Sequence, residues 1–187
     1  MGAVTLSNNR EDILRIYEFI RSQNLNYPQY EEWAKKCRDE LLTGYKKAFV
    51  IKNKNGKLIG SLIVQKHKSD SSVLEMKNAR IASGYENKGH FKQLYLAAER
   101  YAREKNYKKI VCDSHMENFK MISSLHKVGF IIESKENIYT PKNLEVILTK
   151  DLTTTNIRSL ESSIIESYNK FINRLKLLFE EFFAIRL

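Results

Sequence analysis

Apolar positions along this chain follow two rhythms, and the alternation between them predicts the elements. Ile13, Leu14, Ile16, Tyr17 and Ile20 recur at helical spacing, which predicts a helix from about Glu11 to Ser22 with Asn8 or Asn9 as its cap. The polar stretch from Asn24 to Pro28 ends it, and a second helix follows from about Gln29 to Leu42, stopped at Gly44. The rhythm then shortens to that of strands. Lys46 to Lys52 and Lys57 to His67 flank Asn53-Lys54-Asn55-Gly56, a hairpin signal, and Val73 to Ile81 makes the next strand. Val4 to Leu6 is a weak strand before them.

Further on, a helix is expected from Phe91 to Lys105 and a strand from Lys109 to Asp113, so that crossover should be parallel. A short helix closing at Gly129 and two last strands, Phe130 to Ser134 and Leu144 to Leu148, complete a mixed sheet with helices inserted at four points. Beyond Thr153 the character changes. Ile164, Tyr168, Phe171, Leu175, Leu178, Phe182 and Ile185 alternate in steps of four and three, the seam of an amphipathic helix. It can fold back or pair with a second copy, and its length favours a homodimer. The expected division is 1–152 for the domain and 153–187 for the helix.

Charge sharpens the picture. From Asp151 onward five basic residues balance five acidic ones, so residues 1–150 hold 27 basic against 17 acidic and carry the whole excess of +10. Such a field draws polyanions, a nucleotide cofactor or nucleic acid, although a lysine-rich surface also serves solubility alone. No apolar run has membrane-spanning length, the first nine residues lack a signal pattern, and Cys37 and Cys112 have no pairing or metal spacing. A cytoplasmic protein without a membrane partner or metal is expected.

The candidate chemistry lies between Leu74 and Phe130. The Val73 strand runs into Tyr85-Glu86-Asn87-Lys88-Gly89-His90-Phe91 and then directly into the long helix. Free backbone N–H groups at such a helix start suit a pyrophosphate. Gly89 permits close approach, Lys88 and Lys92 add positive charge, and His90 should sit exposed at the loop tip. This order of elements resembles the GCN5-related N-acetyltransferase (GNAT) family. Glu75 stands eleven positions before Glu86, Glu86 to Phe91 occupy the family's Q/R-x-x-G-x-G/A loop, and Asn118 to Phe130 follow its N-x-x-A-x-x-x-Y-x-K-x-G-F pattern at most fixed points.

The resemblance implies a GNAT-like α/β fold whose central sheet is mixed and flanked by helices, with a splayed parallel strand pair, here followed by the C-terminal helical extension. It also implies acetyl-CoA as co-substrate and an amine acceptor, small molecule or protein. On that basis Ile81 and Ala82 would hold the pantetheine arm, and Asn87, Lys88, Gly89, His90, Phe91 and Lys92 the pyrophosphate. Asn118 joins them as a cofactor contact, and Glu75 would take the amine's proton, since the nitrogen must be deprotonated before it attacks the thioester. Two positions depart from the family: Glu86 replaces Gln or Arg, and Phe91 replaces a small residue. The usual acidic tyrosine is Leu125; His126 faces elsewhere on the helix, while Ser114 and His115 stand nearer the expected thioester. Trp33, Tyr27 and Tyr30 read first as helix-face packing and second as acceptor-pocket walls.

The leading expectation is therefore an acyl-CoA-dependent N-acetyltransferase acting on a primary amine by direct attack. A weak or inactive GNAT-like interaction module, dimerising through the C-terminal helix, is the alternative. A third reading places the acceptor amine on a nucleic acid.

Overall fold

A computed structural model describes residues 3–7, 9–23, 28–141 and 143–153. In chain order the elements are β1 (Val4–Ser7), α1 (Arg10–Arg21), α2 (Tyr30–Leu42), β2 (Lys46–Lys52), β3 (Leu58–Lys66) and β4 (Val73–Ile81). They continue with α3 (His90–Glu104), β5 (Lys109–His115), α4 (Phe119–His126), β6 (Ile131–Glu136) and β7 (Glu145–Asp151). The seven strands form one sheet in the order β1-β2-β3-β4-β5-β7-β6. Every neighbouring pair is antiparallel except β4 and β5, which run parallel because α3 crosses between them. The GNAT-type mixed sheet with flanking helices is thus present. The expected helix within 153–187 lies outside the described residues, as do Tyr27 and the break at 24–27.

Local chemistry explains most element ends. Asn9 caps α1 by accepting from the Asp12 amide at 2.8 Å. The β2–β3 hairpin closes on Asn53, whose side-chain oxygen accepts from the Asn55 and Lys57 amides, both at 3.0 Å, while Gly56 supplies the φ of +76° that the turn needs. β5 runs past the expected Asp113 to His115, because β7 continues to pair with it as far as Glu145.

Each sheet face is covered by its own cluster. α3 packs Leu94, Tyr95 and Ala98 onto Leu62, Val64, Leu74, Met76, Ile110 and Leu148. α1 and α2 pack Ile16, Ile20, Ala34 and Cys37 onto Val50 and Ile63 on the opposite face. Burying a side chain of this size contributes about 1.5–3 kcal/mol relative to leaving it in water, so both helical layers are held by the strands between them.

The feature that makes a site is where the sheet stops being a sheet. β4 and β5 pair over only four steps, from Val73 with Lys109 to Met76 with Cys112. Opposite β3, Val64 pairs with Met76 and Ile63 with Asn78, so Lys77 is an extra residue in β4. Such a bulge bends the strand that carries it. Past it, β4 stays with β3 as far as Ile81 while β5 stays with β7, and the two parallel strands splay apart.

Candidate active site

The loop from β4 into α3 is built from left-handed residues: Gly84 at φ +81°, Asn87 at +59° and Gly89 at +78°. The first α3 bond runs from the Gln93 amide to the Gly89 carbonyl at 3.1 Å, so the amides of His90, Phe91 and Lys92 lie ahead of the helical ladder. Gly89 is the N-cap and has no side chain to satisfy them, and a Cβ built there meets nothing within 4 Å. The start of α4 differs, because Asn118 caps it by accepting from the Met121 amide at 3.2 Å. An anion therefore has open, uncapped donors at α3, where the helix dipole adds roughly half a positive charge.

The loop side chains divide. Glu86, Asn87, Lys88 and Lys92 are exposed. Lys88 folds back, donating to the Gly84 carbonyl at 2.6 Å and lying 5.5 Å from the Tyr85 ring centroid. His90 is not at an exposed tip: it is half-buried beside Tyr85, and its Nδ1 is buried without a partner. Its ring centroid lies 6.3 Å from that of Tyr85. Phe91 packs half-buried on the α3-side core and lines the cleft described next.

A cleft of about 300 Å³ passes through the splay and is walled from both faces of the sheet. On the α3 side its wall is largely apolar: Met76, Phe91, Cys112, Met121 and Leu125. Leu125 is 1% exposed and donates nothing, whereas His126 is exposed and its Nδ1 lies 2.9 Å from the Phe130 carbonyl. Asn118 and Ser114 also reach the wall; His115 accepts from the Glu117 amide at 3.3 Å instead. Burial pushes the Cys112 thiol far up, and the charge of Asp113 pushes it further, so it stays protonated at neutral pH.

The α1/α2 side is charged. Glu75 accepts from Gln65 at 2.7 Å and pairs with Lys77 at 2.5 Å, and Lys77 lies 4.0 Å from Asp113. Asp113 in turn accepts from the Tyr139 hydroxyl at 2.7 Å. The loop carrying Tyr139 is pinned by the buried Glu145, which accepts from the Ile138 amide at 3.1 Å. Lys77, Asp113 and Tyr139 line the cleft, and Glu75 stands one ion pair behind them. Tyr30 and Trp33 stack at 5.6 Å and also form part of the wall, so helix packing and pocket lining are served by the same rings.

Sequence reasoning singled out Glu75 and missed Asp113, Lys77 and Tyr139. One signal was available for Lys77. The apolar alternation in β4 runs Leu74, Met76 and then Ala79, Ile81, a phase slip of one residue that marks a bulge. Nothing local marks Tyr139, which reaches Asp113 across 26 positions. Among the described residues no group of three or more His, Cys, Asp and Glu side chains forms a metal site, and no helix is long and apolar enough to cross a membrane.

A splayed parallel pair, an uncapped helix start after the strand and a cleft running between them define an acyltransferase type of site. Comparison with known proteins agrees: residues 11–130 match the model of the Acetyltransferase (GNAT) family, and the chain belongs to that family. No curated protein matches it. Among solved structures it is similar to a GNAT-family protein from Desulfovibrio desulfuricans, at 13% identity and TM-score 0.69 over 80% of this chain and 99% of that one. It is also similar to the ribosomal-protein-S18-alanine N-acetyltransferase of Escherichia coli, at 16% identity and TM-score 0.65 over 82% and 96% of the two chains. A chimeric spermidine N-acetyltransferase from Vibrio cholerae aligns at 19% identity and TM-score 0.62 over 80% and 96%. At these identities the likeness is one of fold.

Proposed function

We propose that this protein is an N-acetyltransferase that moves an acetyl group from acetyl-CoA to a primary amine by direct attack on the thioester. The observation that carries the reading is the cleft through the β4–β5 splay, with Phe91, the second residue of α3, in its wall. On this reading the uncapped amides of His90 to Lys92 serve one side of the cleft and the carboxylate cluster the other. The donor set fits an acyl-CoA: amide donors for a pyrophosphate, the β4 edge left unpaired by β5 past Met76 and ending at Ile81 for an amide-containing arm, and an apolar wall for the thioester; the Ala82 amide and carbonyl, by contrast, are engaged by the Ile59 carbonyl and the Tyr85 amide.

Acetyl-CoA would supply the acyl thioester, whose C–S bond is exchanged for a C–N bond while CoA departs as the thiol. The chain's residues manage protons and position. Asp113, facing the cleft, takes a proton from the incoming ammonium, directly or through one water. Glu75 supports it through Lys77, whose ammonium the two carboxylates share. The nitrogen's second proton leaves with the sulfur, so no separate acid is required where Leu125 stands. Lys88 and Lys92 add charge beside the pyrophosphate, and Asn118 borders the arm. The protonated state of Cys112 supports direct transfer over an acyl-cysteine route.

The uncapped α3 start and open cleft speak for an enzyme over an inactive interaction module. We further propose that 153–187 forms a helix that pairs two copies, and that the protein works in the cytoplasm, where its two free, buried cysteines stay reduced. Calorimetric titration with acetyl-CoA, followed by thiol release in the presence of amines, tests the enzymatic reading. Absence of both heat and a thermal shift on adding acetyl-CoA sinks it.

A further inference from the structure

The acceptor side of the cleft carries a charge imbalance that the transfer chemistry does not use. Its wall holds the cations Lys36, Lys46, Lys68, Lys77 and Arg80 but only two carboxylates, Glu40 and Asp113. Lys46 and Lys36 share Glu40, and Lys77 is taken by Glu75 and Asp113. Arg80 has no carboxylate within ion-pair distance among the described residues. Its Nη1 turns back to the Ala79 carbonyl at 2.9 Å, and its Nε is buried with no partner. A half-buried guanidinium without a counter-ion is costly, and the cost is removed when an anion arrives.

Asn78, two residues earlier, supplies the second observation. It is 6% exposed, lines the same cleft, and its side-chain oxygen is buried with no donor. Asn78 and Arg80 pair with Ile63 and Ser61, so they share the α1/α2 face of the sheet, about 7 Å apart by strand geometry. The first is an acceptor without a donor, next to Lys77 in the chain and in the same cleft wall as Asp113. The second, two residues further on, keeps a buried Nε donor without an acceptor.

We infer, resting on the N-acetyltransferase reading, that the acceptor is an amine bearing its own anionic group, a carboxylate or a phosphate. The amine N–H groups meet Asn78 and Asp113, and the anion meets the Arg80 guanidinium. A polyamine would add like charge to a wall that is already positive.

The test measures binding, so it does not depend on turnover. γ-Aminobutyrate and its amide, phosphoethanolamine and ethanolamine, and spermidine are titrated calorimetrically into the full chain, with acetyl-CoA titrated separately. The expected result is about tenfold or tighter binding of at least one anionic probe than of its neutral twin, as for a charge-assisted hydrogen bond. Which pair shows it distinguishes carboxylate from phosphate. Arg80→Gln should erase the difference and Arg80→Lys restore part of it, while acetyl-CoA affinity holds and the melting temperature does not fall. Equal binding within both pairs, tighter binding of spermidine, no binding of either anionic probe, or a preference that survives Arg80→Gln overturns the inference. If the anionic probes bind through Arg80 while acetyl-CoA gives no heat, the anion site stands and the enzymatic reading falls.

Discussion

The two sides of the β4–β5 splay are made of different material. Toward α3 the cleft wall is Met76, Phe91, Cys112, Met121 and Leu125, continuous with the main core. Toward α1 and α2 it is Lys77, Asp113 and Tyr139, joined by an ion pair and a hydrogen bond, with the unpartnered Asn78 oxygen and Arg80 Nε beside them. On the proposed function the first side holds the neutral thioester away from water, and the second holds the charged amine and takes its proton. Stability and turnover should therefore separate, with substitutions on the α3 side costing folding and those on the α1/α2 side costing catalysis.

The sharpest test removes the cleft-facing carboxylate. Asp113→Asn should lower kcat/KM for the acceptor by about 10²–10⁴-fold, with acetyl-CoA affinity unchanged by calorimetry. A comparable loss of melting temperature would break the comparison. Leu125→Ala probes the opposite wall. It should cost about 2–5 kcal/mol in denaturant unfolding, as large-to-small core changes do, and lower turnover of the folded enzyme far less than Asp113→Asn does.

Beneath that wall, α3 is tied to β7 by Glu99, which accepts from Lys150 at 2.7 Å and from Arg103 at 2.8 Å. Burial would raise the Glu99 pKa, but the hydrogen bonds from Lys150 and Arg103 and the charge of Lys150 outweigh it and hold the carboxyl below its ordinary 4.5. A depressed carboxylate stabilises the fold above its ordinary pKa, and that contribution is lost as pH falls through the lowered value. Glu99→Gln should then cost about 2 kcal/mol at pH 7, and the gap to the parent should narrow in unfolding curves as the pH is taken down below the ordinary carboxyl value. The smallest effect is expected at Gly89. Alanine at φ +78° costs about 1 kcal/mol, so Gly89→Ala should weaken acetyl-CoA binding roughly three- to tenfold and leave acceptor binding alone.

Much of the architecture was legible because it is written in local rules. The strands at Lys46–Lys52 and Val73–Ile81 coincide with their apolar alternation, and α1, α2 and α3 begin or end within a residue of their sequence signals. The start of α3 was legible for the same reason: Gly89 before a helical run leaves amides free whatever else surrounds it. The acceptor side was not. Glu75 stood out from its position before the loop, yet the residue in the cleft wall is Asp113, placed there by a bulge at Lys77 and by β7 extending β5. Phe91, which stands where the family has a small residue, is placed against the core and in the cleft wall only by the packing of α3.

What the chain determined by itself, then, was the order of strands and helices, the loop that opens α3 and the family to which both belong. These follow from spacing, caps and turn residues acting over a few positions. Which carboxylate faces the cleft, which cation is left without a counter-ion and how Tyr139 meets Asp113 were decided only by tertiary structure. Each depends on side chains from separate strands converging where two parallel neighbours part, and no local rule carries that distance.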